Sequence, residues 1–294
     1  LTRRGNVNGA LDMGLAPTDG GLDATGILVA AAAGEIDTLV LLGSDPLVDF
    51  PDRDLAQRAF ARLKFVLSLD RFLTASTAEA SVVLPVAGDY ETDGSFTNLE
   101  GRVTALVQRV TPPGTARPDW MIAADLAWRL DADLGMTSVV GINETISREI
   151  AHYTEVFDGL AAGTVDGVVV RGESLDLVSS ELDPAPSRDA YSLRLVVNRK
   201  LYGNGTATVH SPNSALLAPG AVLQVHRTEF DRLGVSDGDV VHVVSEFGSM
   251  SVRVSPNASV PRGVAVLAGN QADARAFDLL DVNARLTEIR LETM

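Results

Sequence analysis

The sequence contains no cysteine. Disulfides are excluded, and so are cysteine-held zinc and iron–sulfur clusters within these residues. Aromatic residues make up only 5 %, so any core has to be filled by Ala, Val and Leu. No apolar run approaches the roughly 18 residues that cross a bilayer. The longest, 27–34 and 263–269, are far shorter, and no basic amphipathic stretch marks a helix lying on a membrane. Direct membrane insertion is therefore not expected. Positive charge is scarce: Lys+Arg 24 against Asp+Glu 39 leaves a net charge of −15. That sign argues against a nucleic-acid partner, whose phosphates need cations. Several catalytic signatures are missing too: GxxxxGK[ST], GxSxG and HExxH do not occur. His152, His210, His226 and His242 show no metal-ligand spacing and read as structural, with His226 and His242 inside strands. No catalytic residue is expected.

What the chain does have is enough length and apolar content for two domains: 294 residues, 46 % hydrophobic. The whole acidic excess falls in residues 1–190, while 191–294 are balanced. Residues 1–171 are expected to form an α/β region, 172–190 a linker, and 191–294 a β barrel. The chain starts at Leu1 in structured-looking sequence, and we read it as the C-terminal part of a longer protein.

Residues 1–21 are rich in Gly and Asn, which is loop chemistry. A helix over 22–34 starts near Asp23 and stops at Gly34. Residues 36–43 form an apolar strand without alternation, as parallel strands covered on both faces do. A helix over 52–62, a strand over 64–70, a short helix over 74–80 and a strand over 81–85 complete a parallel Rossmann-like pattern. Further helices are expected over 116–130, with Trp120, Ile122, Ala123, Leu126, Ala127 and Leu130 on one stripe, and over 143–152. After the linker come five short β runs at 193–198, 222–227, 240–246, 249–255 and 263–269.

Four places carry ligand-holding chemistry. Gly43 and Ser44 follow a parallel strand and precede a helix, where backbone N–H groups can hold a phosphate or a ring edge; a plain turn is the other reading. Asp70 ends the next strand, a position suited to ribose hydroxyls or to a helix cap. The loop Asp93-Gly94-Ser95-Phe96-Thr97-Asn98-Leu99-Glu100-Gly101-Arg102 is the strongest signal. Gly94 and Gly101 permit close approach, and Thr97 and Asn98 offer uncharged hydrogen bonds suited to a neutral heterocycle. The loop bonding to itself is the alternative. Gly203 and Asn204 form another permissive loop.

In order along the chain, NVNGALDMGLAP, LLGSDP, SVVLPVAGDYETDGSFTNLEGRV, ARPDWMIAADLAWRLDADLG, VHRTEFDRLGVSDGDVVHVVSEFGSMSVRV and DVNARLTEIRL resemble the molybdopterin oxidoreductase superfamily. The TNLEGRV wording is most similar to the large iron–sulfur subunit of respiratory complex I, the G-type subunit of NADH-quinone oxidoreductase. Ser76, Ser81 and Thr104 stand where that superfamily commonly has Glu, Asp and Gln. The resemblance implies a parallel Rossmann-like α/β region followed by a double-psi β barrel of the molybdopterin dinucleotide-binding kind. It implies a largely non-catalytic scaffold with no cofactor in this part, iron–sulfur clusters in an upstream region, and other peripheral-arm subunits of complex I as partners. Localisation would be cytoplasmic, peripheral on the inner face of the bacterial plasma membrane through the complex. The alternative it implies is half of a molybdenum bis-molybdopterin guanine dinucleotide enzyme such as a formate dehydrogenase. In that case Gly43, Ser44, Asp70, Gly94, Thr97, Asn98, Gly203 and Asn204 would hold the cofactor.

Overall fold

A computed structural model describes residues 5–17, 20–163, 166–170, 187–273, 275–280, 284 and 286–293. The chain divides into two compact units: 1–44 with 59–180, and 45–58 with 181–294. The expected linker over 172–190 lies mostly outside the described residues.

The first unit opens with α1 (Val7–Asp12) and α2 (Ala24–Ala33). Loop chemistry over residues 1–21 is corrected by α1, whose N-cap, Asn6, takes up a left-handed conformation. Helix α2 is set at both ends by its sequence. The Asp23 carboxylate accepts the Gly26 amide at 2.8 Å, and Gly34 caps the other end at φ 81°. Strand β1 (Thr38–Leu42) follows, and the chain runs through α3 (Pro46–Asp49) and α4 (Arg53–Arg62) into β2 (Phe65–Asp70). Helix α5 (Ala75–Ala78) starts with a reciprocal Thr74–Thr77 capping box and leads to β3 (Val82–Pro85). The three strands are parallel in the order β1-β2-β3. Central β2 is buried on both faces, with Val66, Ser68, Leu69 and Asp70 inside.

Next, β4 (Gly94–Thr97) and β5 (Arg102–Leu106) pair antiparallel, so the stretch expected as a loop contains a β-hairpin. Turn formers at Asp93, Gly94 and Gly101 hide the short strand runs between them. Helix α6 (Asp119–Arg129) covers β2 and β3 through Ile122 and Leu126, which pack with Leu67, Leu69, Leu84 and Val86. The buried stripe is narrower than expected, since Ala123 and Leu130 are exposed. Helix α7 (Val139–Glu149) begins earlier than expected because Ser138 caps it, accepting the Gly141 amide at 3.1 Å. A 3-10 turn at Ala151–Tyr153, α8 (Val156–Ala161) and β6 (Val168–Val169) complete the unit, with β6 pairing onto β5. Val103, Tyr153, Val156 and Val170 form its second core.

The second unit is built on a closed six-stranded barrel of order β10-β8-β11-β7-β12-β9. Its elements are β7 (Leu193–Asn198), α9 (Thr206–Val209), α10 (Pro212–Ala215), β8 (Val222–Val225), α11 (Arg227–Leu233), β9 (Val240–Val244), β10 (Ser249–Pro256), β11 (Val264–Ala268) and β12 (Thr287–Thr293). Pairs β10–β8 and β11–β7 are parallel and the rest antiparallel. Period-two alternation fills the interior: Leu193 and Leu195, Leu223 and Val225, Val241 and Val243, Val252 and Val254, Ala265 and Leu267, with Ile289. Closure removes every open edge. His226 lies outside the strands, as the N-cap of α11, accepting the Thr228 amide through Nδ1 at 3.1 Å. The fold class is thus a parallel α/β region followed by a C-terminal β barrel.

Candidate functional site

The eight candidate residues fall into three groups. At the carboxyl ends of the parallel strands, Gly43 adopts φ 57° and its amide donates to the Leu69 carbonyl at 2.8 Å. Ser44 next to it is exposed. Asp70 is 9 % exposed, and its Oδ1 accepts the amides of Arg71 at 2.7 Å and Phe72 at 3.2 Å. The carboxylate is therefore turned back on the chain as a cap. Arg71 also pairs with Asp89 at 3.1 Å. Asp119, at the start of α6, belongs to the same cluster. Desolvation holds its carboxyl above the ordinary value, Arg71 opposes this, and the charge of Asp70 adds to it.

The second group is the hairpin. Gly94 opens β4 opposite Leu106 and faces open space. Asn98 turns the chain: its Oδ1 accepts the amides of Glu100 and Arg102, both at 2.9 Å. Its own backbone amide donates to the Arg102 carbonyl at 2.9 Å, and Gly101 donates to the Asn98 carbonyl at 3.0 Å. Gly101 sits at φ 73° with the Val170 carbonyl where a side chain would be, so only glycine fits. Thr97 is 3 % exposed. Its amide donates to Asn6 Oδ1 and its hydroxyl meets the Tyr153 hydroxyl, both at 2.9 Å. Asn8 Nδ2 donates to the Asn98 carbonyl at 2.9 Å. Sequence reasoning missed Asn6, Asn8, Asp12 and Tyr153. The Asn pair of NVNG was the available signal; Tyr153 had none.

The third group lies in the other unit. Gly203 is buried against Asn270, whose carbonyl accepts the Asn204 amide at 2.8 Å. The Asn270 side chain holds Lys200 at both backbone groups, accepting at 2.8 Å and donating at 2.9 Å. Gln271, 1 % exposed, donates to the Tyr202 carbonyl at 3.0 Å and accepts the Gly220 amide at 3.0 Å. Asn204 and Gln271 line a cavity of about 210 Å³ together with Arg53, Arg275, Phe277 and Asp278. Arg53 Nε is buried there without a hydrogen-bond partner among the described residues.

Among the described residues no group of three or more His, Asp or Glu could hold a metal ion. His152 lies 3.5 Å from Asp12, and His242 Nδ1 lies 3.4 Å from Ser251 Oγ, both consistent with structural roles.

Comparison with known proteins agrees with this arrangement. Residues 1–129 match the family described as Molybdopterin oxidoreductase, and 193–287 match the Molydopterin dinucleotide binding domain. The chain is 29 % identical over 271 residues to the NADPH-Fe(3+) oxidoreductase subunit alpha of Geobacter sulfurreducens, covering 84 % of this chain and 31 % of that one. It is 29 % identical over 266 residues to a G-type NADH-quinone oxidoreductase subunit of Rhizobium meliloti, covering 90 % and 31 %. A Staphylococcus aureus protein named for formate dehydrogenase is 26 % identical over 246 residues, 75 % of this chain and 25 % of that protein. The chain thus spans a third or less of the length of these relatives. Acetylene Hydratase from Pelobacter acetylenicus has the same fold over 83 % of this chain and 39 % of its own, with a TM-score of 0.61 at 16 % identity.

Proposed function

Because this chain belongs to the molybdopterin oxidoreductase family, we propose that it is a non-catalytic scaffold within the large iron–sulfur subunit, the G-type subunit, of an NADH-quinone oxidoreductase. In that role electrons pass from NADH to quinone through clusters held elsewhere in the subunit, and this region stabilises the subunit and docks neighbouring peripheral-arm subunits. Attachment to the inner face of the plasma membrane then runs through the complex. No helix among the described residues is long and apolar enough to cross a membrane.

One observation carries this reading. The side chains best placed to read a pterin are already bonded inside the protein: Asn98 Oδ1 to Glu100 and Arg102, Thr97 to Tyr153, and Asp70 to Arg71 and Phe72. Binding a heterocycle through these atoms would break bonds that hold the hairpin and the strand end. The acceptor atoms of Asn98, Thr97 and Asp70 are therefore engaged in holding the fold, which leaves Asn98 Nδ2 as the side-chain group of this hairpin able to meet a ligand.

A second reading is favoured by the other unit alone. The cavity beside Asn204 has two guanidinium groups, Arg53 and Arg275, which suit the phosphates of a pterin dinucleotide. On that reading the chain is half of a molybdenum enzyme of the formate dehydrogenase kind.

The deciding experiment is the molybdenum, iron and pterin content of the full-length gene product purified from its host. Iron without molybdenum or pterin is expected. Molybdenum near one per chain, together with pterin, overturns the scaffold reading.

A further inference from the structure

The sequence contains two Asn-Gly steps, Asn8–Gly9 and Asn204–Gly205. An asparagine before glycine is prone to lose its amide spontaneously, because glycine has no side chain to hinder attack by its own nitrogen on the preceding carboxamide. Whether a folded chain permits that attack depends on the local backbone, and the two steps sit in opposite settings.

Asn8–Gly9 is locked. Both residues lie inside α1, and Asn8 Nδ2 donates to the Asn98 carbonyl at 2.9 Å. Gly9 is buried, packed against Asn6 Oδ1 and the Thr97 side chain. Closing a ring there would take Asn8 out of helical dihedrals and break α1.

Asn204–Gly205 is open. It lies between β7 and α9, in no helix or strand. The Asn204 backbone amide is tied to the Asn270 carbonyl at 2.8 Å, but its carboxamide has no hydrogen-bond partner among the described residues. Gly205 precedes α9, and its carbonyl accepts the amides of Thr208 at 2.9 Å and Val209 at 3.0 Å. Its own N–H therefore stands outside the helix ladder and bonds to none of the described residues. Gly205 is exposed, and a Cβ there would meet open space.

We infer that Asn204–Gly205 is a self-modification site. The Gly205 nitrogen bonds to Asn204 Cγ and gives up its proton, the Cγ–Nδ2 bond breaks, and the nitrogen leaves as ammonia. The product is a cyclic imide, a succinimide. Water then adds to either ring carbonyl and opens the ring, giving aspartate or isoaspartate. No electron is transferred, and water is the sole co-reactant. Either product puts a carboxylate in the cavity that Asn204 shares with Arg53, Arg275 and Asp278. The reaction uses the chain's own backbone and does not depend on the scaffold reading.

The test follows both steps in the full-length gene product by peptide mass spectrometry during incubation at mildly alkaline pH, with isoaspartate read separately by enzymatic methyl transfer. Asn204 is expected to convert to a mixture of isoaspartate and aspartate several-fold faster than Asn8. In denaturant the two rates should converge, because the difference comes from the fold. Gly205→Ala, which the open space accommodates, should slow the conversion of Asn204 several-fold without moving the denaturation midpoint. Equal rates at the two steps in the folded protein, a difference that persists in denaturant, a rate unchanged by Gly205→Ala, or aspartate without isoaspartate would each overturn the inference.

Discussion

The Tyr153 hydroxyl donates to Asp12 Oδ2 at 3.0 Å and lies 2.9 Å from Thr97 Oγ1, tying three distant segments at one buried point. Tyr153 is 2 % exposed, and burial is the main reason its hydroxyl is held above its ordinary pKa, with the Asp12 acceptor adding to the rise. The ring packs with Val103, Val156 and Val170, so the same residue anchors both the core and the hairpin.

Tyr153→Phe keeps the ring and removes both bonds. Asp12 can turn to water, but Thr97 Oγ1 is left buried. A loss of about 1–3 kcal/mol is expected, read as a lower denaturation midpoint for the first unit. Adding Thr97→Val should cost less than the sum of the single changes, because the two share one bond. Additive losses would show that the pair is not coupled.

Asn98 distinguishes a turn-holding role from a ligand-reading one. Its Oδ1 accepts two amides, while its Nδ2 has no partner among the described residues. Asn98→Ala should lower stability by about 1 kcal/mol, since both amides lose their acceptor. Asn98→Asp keeps the acceptor, replaces the amide donor by a second acceptor oxygen and adds a negative charge beside the Glu100–Arg102 pair. In the full-length gene product it is expected to match the wild type in assembly and in turnover per assembled complex. A fall in turnover at full assembly would point to a ligand held by the amide nitrogen.

The barrel was legible because its strands alternate, Leu193 and Leu195 in, Val241 and Val243 in, with turns between. Helix α2 was legible because Asp23 and Gly34 mark its ends. The hairpin was not, since its strands are only four and five residues long and bracketed by turn formers. Strand β12, which closes the barrel, was also not among the expected runs. The partners of Thr97 could not be read locally: Asn6 is 91 residues away and Tyr153 is 56. Nor could the grouping of 45–58 with the barrel, which depends on tertiary packing.

Gly203 and Gly205 make a matched pair for the second unit. A Cβ on Gly203 would collide with the carbonyl and side chain of Asn270, displacing the bond that holds Asn204. A Cβ on Gly205 would meet open space. Gly203→Ala is expected to cost about 1–3 kcal/mol, as overpacking does, and Gly205→Ala close to nothing. Equal midpoints for the two variants would refute the clamp.

The last prediction concerns pH. Asp119 has its carboxyl raised above 3.8, chiefly by desolvation, with Asp70 adding and Arg71 opposing. A raised carboxyl means the folded chain binds this proton more tightly than the unfolded chain does. Stability from this site is therefore highest below 3.8 and falls as pH rises from there through the raised folded value. Above that window the full penalty of the charged form persists. Asp119→Asn removes the charge and leaves a side chain of similar shape at the first turn of α6. It should stabilise the first unit at neutral pH, give no gain below pH 3.8, and flatten the stability profile between. The measurement is the denaturation midpoint of both proteins across that range. A variant less stable than the wild type at about pH 7 would show that Asp119 is favoured in its charged form, by Arg71 and the helix N-terminus together.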